Sequence, residues 1–211
     1  MIVIINPNST VSMTEAMLAT AQKTCPQTQI EAWTSHDGPP AIQGPADHTL
    51  CIPPLLKLVA KASEQEARAI IIGCSDDTGL VEARAIADCP VIGIGQAAYH
   101  MAALTGPRFS VVTTLEVSVP ILFQNVHDLG FGGYLAKVRA SGVPVLALEE
   151  DADRAAERVL AEIAHAQAED DIQSVVLGCA GMSHIPARAS SDIRVRLIDG
   201  VVAAARFGAF L

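Results

Sequence analysis

Two strings of the same design, Ile71-Ile72-Gly73-Cys74 and Val176-Leu177-Gly178-Cys179, lie 105 positions apart in a chain of 211 residues. Each is a short aliphatic run closed by a glycine and a thiol, which reads as a buried strand ending at a turn. Their spacing is half the chain. A fold whose halves each bury such a strand can set the two cysteines face to face.

The rest of the chain fits that plan. Apolar runs alternate with helix-like stretches, the pattern of an α/β protein with mostly parallel strands. The first half predicts strands at 2–6, 28–33, 69–74 and 90–95, with helices at 12–24, 54–67 and 79–87. Ser12 and Glu15 have the spacing of a capping box, and Pro53-Pro54 suits a first helical turn. The second half predicts strands at 109–113, 143–148, 173–178 and 194–198, with helices near 116–129 and 152–167. In the last helix Ala155, Val159, Leu160 and Ile163 form the buried stripe. Strand order relative to each cysteine repeats, so the halves are structurally equivalent although little side-chain identity survives outside the Gly-Cys strings. The Gly- and Pro-rich segment 35–54 reads as a pocket wall or a plain surface connection.

Half of the residues are hydrophobic and only 4% aromatic, so the core rests on Ala, Val, Ile and Leu. A net charge of −9 without a basic stripe argues against nucleic acid and against an anionic membrane surface. No apolar run approaches the roughly 20 residues that span a bilayer, and Met1–Pro7 lacks the form of a signal peptide. Five scattered cysteines point to a reducing cytoplasm rather than a disulfide framework, and none sits in a zinc-like cluster. Cys25, Cys51 and Cys89 read as core thiols.

In parallel α/β sheets the ligand crevice lies beyond the carboxyl ends of the strands. Cys74, Cys179, Asn6 and Thr113-Thr114 all fall at such ends. An unperturbed thiol has a pKa of about 8.5 and is a poor base, but Cys74 precedes a helix-start pattern whose amides would favour a thiolate. Asp76 and Asp77 are then expected to cap that helix. Ala180-Gly181 can bring backbone amides close to a ligand, as an oxyanion hole does. Opposed thiols suit an enzyme that removes a proton from one face of a carbon and returns one to the other.

Five strings together resemble the aspartate/glutamate/hydantoin racemase family, in its hydantoin/allantoin racemase branch. They are Ile5-Asn6-Pro7-Asn8-Ser9, Gly73-Cys74-Ser75-Asp76-Asp77-Thr78-Gly79-Leu80, Pro90 to Ala98, Val112-Thr113-Thr114 and Leu177-Gly178-Cys179-Ala180-Gly181-Met182. The resemblance implies two similar lobes, each a four-stranded mostly parallel sheet flanked by helices. A pseudo-twofold axis relates them, with the active site between. The first lobe would comprise 1–96 plus 199–211 and the second 97–198. It further implies a cofactor-independent racemase, assembled as a homo-oligomer, acting on a hydantoin, allantoin or related amino-acid derivative. Cys74 and Cys179 would be the acid/base pair. Asn6, Ser75, Thr113, Thr114, Ala180 and Gly181 would hold the substrate. The chain departs from the family pattern at Gln96, where a glutamate is expected, and at Ser75, where a bulkier residue is common. The lack of an Arg or Lys beside the motifs favours a ring or ureido substrate over a free amino acid.

Alternatives on the same scaffold are a decarboxylase, which manages with one cysteine, or a cis–trans isomerase. A non-enzymatic small-molecule sensor is a further reading. Gly93-x-Gly95-x-x-Ala98 mimics a dinucleotide fingerprint but follows the wrong strand. His184, five residues after Cys179, reads as a surface or helix-cap residue.

Overall fold

A computed structural model describes residues 1–211. Strands β1 (Ile2–Asn6), β2 (Ile30–Thr34), β3 (Ala69–Ile72) and β4 (Val91–Gly93) form a parallel sheet in the order β2-β1-β3-β4. Strands β5 (Phe109–Thr113), β6 (Leu135–Ala140), β7 (Ser174–Leu177) and β8 (Arg196–Ile198) form a second parallel sheet in the matching order β6-β5-β7-β8. The molecule is therefore two lobes of one design.

Every residue of β1 and β3 is buried, because both faces of the sheet are covered. Ile2, Ile4 and Ile71 pack with Met17 of helix α1 (Val11–Thr24) and with Val201 and Ala204 of helix α8 (Gly200–Phe210). Val3, Ile5, Ile70 and Ile72 pack on the other face, against Leu55 and Val59 of helix α2 (Pro45–Glu64) and Leu80 of helix α3 (Leu80–Ile86). The alternation is the period-two signature of a strand.

Helix α4 (Ile94–Thr105) joins the lobes: Ile94 and Ala97 belong to the first core, while Ala98, Tyr99 and Ala102 pack with Phe109, Val111 and Val176 of the second. Leu122 of helix α5 (Val119–Asp128) completes that face. Helix α7 (Ala152–Glu169) covers the opposite one, burying Ala155, Ala156, Val159, Ile163 and Ala166, with Leu160 only half-buried. No helix is long and apolar enough to cross a membrane.

Several expectations need correction. The strand expected at 143–148 is instead β6 at 135–140, and residues 147–150 form the short helix α6 (Ala147–Glu150). Pro144 lacks the amide a sheet interior requires, and Val143 and Val145 bury themselves in side-chain clusters rather than in a sheet. Helix α2 starts at Pro45, so Pro53 and Pro54 lie inside it and the preceding connection shortens to 35–44. The Ser12–Glu15 capping box does not form: helix α1 has no side-chain cap, and Ser12 donates across the lobes to Glu149.

Candidate active site

The two cysteines are placed by the same local construction. The Gly73 amide donates to the Ile5 carbonyl and the Gly178 amide to the Val112 carbonyl, each at 2.8 Å, extending β3 and β7 by one ladder bond. The chain then turns: the amide three residues on, from Asp77 or Met182, donates to the carbonyl of Cys74 or Cys179, each at 3.0 Å. Inside each turn the sulfur accepts the amide of the second following residue, Asp76 for Cys74 and Gly181 for Cys179. Equivalent backbone geometry thus presents one thiol from each lobe.

Both thiols open into one pocket, and Asn6, Ser75, Thr113, Thr114, Ala180 and Gly181 line it with them. All eight residues singled out from the sequence meet there. Asn6 and Thr113 end the equivalent strands β1 and β5. The side-chain amide of Asn6 is committed inward, donating to Asn8 Oδ1 at 2.9 Å and Thr14 Oγ1 at 3.0 Å, while its oxygen accepts the Asn8 amide. Asn6 therefore shapes the β1 turn. Thr113 donates to the Gly178 carbonyl at 3.1 Å and fixes the approach to Cys179. The Gly181 amide points toward the Cys179 sulfur.

Neither thiol is poised as a thiolate. Burial, with the Asp76 carboxylate adding repulsion, raises Cys74 well above the ordinary range despite the Asp76 amide. Burial likewise pushes Cys179 up to about 12, opposed by the Gly181 amide and reinforced by Asp76 and Glu149. The expected activation of Cys74 by a helix terminus is absent, since α3 starts only at Leu80.

The carboxylates expected to cap α3 serve elsewhere. Asp77 accepts the amides of Gly95 at 2.9 Å and Gln96 at 2.7 Å, and Asn125 Nδ2 at 3.3 Å. This explains the false dinucleotide fingerprint. The helix terminus that would receive a phosphate already holds a carboxylate, and a Cβ on Gly93 would collide with Asp77 Oδ1. Asp76 accepts from His48 Nε2 at 2.9 Å, and His48 lies 3.3 Å from Thr78 Oγ1 through Nδ1. Gln96 accepts from Arg84 outside the pocket.

Other pocket residues escaped the sequence reading. Asn8, Asp76 and Ser118 add polar groups, while Met13, Met17, Ile42 and Val145 form an apolar wall. Of these, Asn8 and Asp76 carried a signal, since each lies in a quoted string beside a strand end. Ile42 makes segment 35–44 a pocket wall, and Gln43 Oε1 accepts the Val145 amide at 3.0 Å across the mouth. His184 is half-buried outside this pocket, its burial lowering the imidazole pKa first, with Arg188 assisting. Apart from the thiols, Asp76 is the sole ionisable lining residue, and no Arg, Lys or His faces the cavity. No group of three or more His, Cys, Asp or Glu is arranged to hold a metal ion.

Two parallel-sheet lobes of matching strand order, with one pocket lined by a strand-end thiol from each, define a two-lobed α/β protein. Residues 2–208 match the family model described as Asp/Glu/Hydantoin racemase. The chain belongs to that family, in its hydantoin/allantoin branch, and is an isomerase of the racemase class. It is 45% identical over 204 residues to a hydantoin racemase of Rhizobium meliloti, covering 96% of this chain and 85% of that one. An allantoin racemase from Klebsiella pneumoniae superposes with a TM-score of 0.95 at 37% identity, covering 100% of this chain and 86% of that one. A glutamate racemase from Francisella tularensis shares the fold alone, with a TM-score of 0.71 at 16% identity over 98% of this chain and 78% of that one.

Proposed function

We propose that the protein racemises a 5-substituted hydantoin, allantoin or a close ureido analogue, with Cys74 and Cys179 transferring protons on opposite faces of the stereocentre. The observation that carries this reading is the composition of the pocket: one thiol from each lobe, hydroxyls and amides around them, and no cationic side chain. A free amino acid would bring an unpaired carboxylate against Asp76, a cost several hydroxyls do not offset. A neutral ring brings only carbonyls and N–H groups.

The chemistry follows from the substrate's acidity. The carbonyl beside the stereocentre stabilises the carbanion as an enolate, so one thiolate suffices to remove the proton. The opposite neutral thiol then delivers one to the other face, and inversion is direct. Ser75, Thr114 and the Ala180 amide are assigned to the substrate's oxygens, together with Asn8. Positioned acid–base groups typically contribute about 10²–10⁴-fold each. The hydantoin racemase of Rhizobium meliloti and the allantoin racemase of Klebsiella pneumoniae support the substrate class by their similarity. Retention of both cysteines weighs against a single-thiol decarboxylase.

Incubating enantiopure 5-methylhydantoin and allantoin with the protein in heavy water tests the reading. Optical rotation is expected to decay while the inverted product gains one deuterium at the stereocentre. Decay no faster than the spontaneous rate for every such substrate contradicts it.

A further inference from the structure

The pocket is rich in groups that can donate a hydrogen bond and has one side chain that cannot. Ser75, Thr113, Thr114 and Ser118 carry hydroxyls, and Asn6 and Asn8 carry amides. Asp76 alone among the oxygen-bearing side chains of the lining accepts without donating. A carboxylate so placed selects for what a substrate donates.

Its setting is built. The Asp76 side chain is only 7% exposed, and its Oδ2 accepts from His48 Nε2 at 2.9 Å. His48 lines an outer cleft that Asp76 shares, but not the pocket of the thiols. The imidazole therefore anchors the carboxylate from outside through Oδ2, and Oδ1 is left for a donor within the pocket. The carboxylate also stands close to both sulfurs, since its charge helps to push Cys74 and Cys179 upward. A substrate whose stereocentre lies between the thiols thus brings the atoms bonded to that carbon beside Asp76. In a hydantoin ring these are a carbonyl, whose oxygen becomes an enolate, and the ring N–H on the other side, N1. The carboxylate repels the first and attracts the second. Thr114 and the Ala180 amide follow β5 and β7 of the opposite lobe, where the carbonyl meets donors.

We infer that Asp76 accepts the ring N–H bonded to the stereocentre, so that the pocket selects substrates carrying this N–H and holds the ring in one orientation. This rests on the racemase reading above and names the feature of the substrate that the site reads. The N–H faces the first lobe and the carbonyl the second, which keeps the developing enolate oxygen away from the carboxylate. The contact is one of binding, and no proton changes hands in it. A hydrogen bond to an ionised acceptor is stronger than one between neutral groups, and leaving a buried carboxylate short of a donor is costly. His48 touches no substrate and serves as a positioning residue for Asp76. Methylhydantoin and allantoin share the same ring N–H, so the inference covers both.

The test compares the substrate that the wild-type protein racemises, 5-methylhydantoin or allantoin, with its N1-methyl and N3-methyl derivatives. Each kcat/KM is divided by that compound's spontaneous rate of racemisation. N1-methylation is expected to cost the wild-type protein at least about tenfold, the range for a lost hydrogen bond to a charged group. In Asp76→Ala the parent substrate should weaken by a similar factor, chiefly through KM, and the N1-methyl penalty should shrink to within about threefold. Removing the Asp76 charge also eases the repulsion on both thiols, but that change acts on all three compounds and cancels in the ratio. Asp76→Asn keeps an acceptor oxygen without the charge and should show an intermediate penalty. It carries the test if Asp76→Ala does not fold. A smaller wild-type penalty, or one that the variants leave intact, overturns the inference and leaves the racemase reading standing. A penalty that shrinks for the N3-methyl compound instead overturns it equally. Absence of racemisation by the wild-type protein overturns that reading, and the inference with it.

Discussion

The carboxylate of Asp77 accepts the amide of Gly95 at 2.9 Å, tying the turn that carries Cys74 to the first turn of the helix shared by both lobes. The contact is close because Gly95 has no Cβ; one would collide with the Ser75 carbonyl. Burial raises this carboxyl to about 7, with the Asn125, Gln96 and Gly95 hydrogen bonds offsetting only part of the cost.

Stability should therefore depend on pH through Asp77. Because the folded value exceeds the ordinary 3.8, the folded state holds a proton that the unfolded chain releases between those values. The contribution of Asp77 is fully present below pH 3.8 and is lost as pH rises to about 7. Asp77→Asn removes this titration. Urea unfolding at pH 5 and pH 8 should show the wild-type protein losing about 2 kcal/mol more than the variant over that interval. Equal slopes would contradict it.

Arg139 is the buried cation of the second lobe, donating to Asp170, Glu169 and Glu162. Burial alone would raise Asp170, but the Arg139 and Ser110 hydrogen bonds outweigh it and hold the carboxyl below its ordinary value. Arg139→Met leaves Asp170 buried without its cation, and should cost about 3–5 kcal/mol in chemical denaturation. The stability contributed by Asp170 exists above its ordinary value and disappears as pH falls through the depressed one. The variant's acid-unfolding midpoint should consequently move upward.

Alkylation reads the resting thiols directly. With Cys74 raised and Cys179 pushed up to about 12, iodoacetamide labelling of both without added substrate should still be accelerating above about pH 9, beyond the ordinary thiol range. Peptide mass spectrometry at a series of pH values would show it. A plateau near neutral pH at either cysteine would mean a thiolate already present at rest.

Gln43 links the lobes across the pocket mouth through its bond to the Val145 amide. Gln43→Ala leaves that amide to solvent and frees the wall formed by Ile42 and Val145. KM should rise about fivefold, equivalent to roughly 1 kcal/mol for one lost hydrogen bond, with kcat nearly unchanged. A fall in kcat with KM constant would place Gln43 in the chemical step instead.

The lobes and the thiol pair were legible because their signals are local. Ala69 to Ile72 and Ser174 to Leu177 are buried on both faces, so they read as continuous apolar strings that need no partner to be recognised. Strand β6 was hidden for the opposite reason. Lys137 and Arg139 break its apolar pattern, and only the distant carboxylates of α7 and Asp170 explain how Arg139 is buried. The apolar Val143 to Leu146 segment mimics a strand, although its side chains build a pocket wall. His48 carried no signal at all. It reaches Asp76 across 28 positions, a contact created by α2 beginning at Pro45 rather than at the proline pair Pro53-Pro54. Tertiary contacts of this sort leave no trace in spacing.

The central claim is that each thiol serves one face of the substrate, and hydrogen exchange in heavy water with Cys74→Ser and Cys179→Ser measures it most directly. Both variants should lose racemisation by at least about 10²-fold. Each should still exchange the stereocentre hydrogen of one enantiomer with retention, and the two variants should select opposite enantiomers. Exchange of the same enantiomer by both, or racemisation surviving either substitution at the wild-type rate, would contradict the two-thiol account.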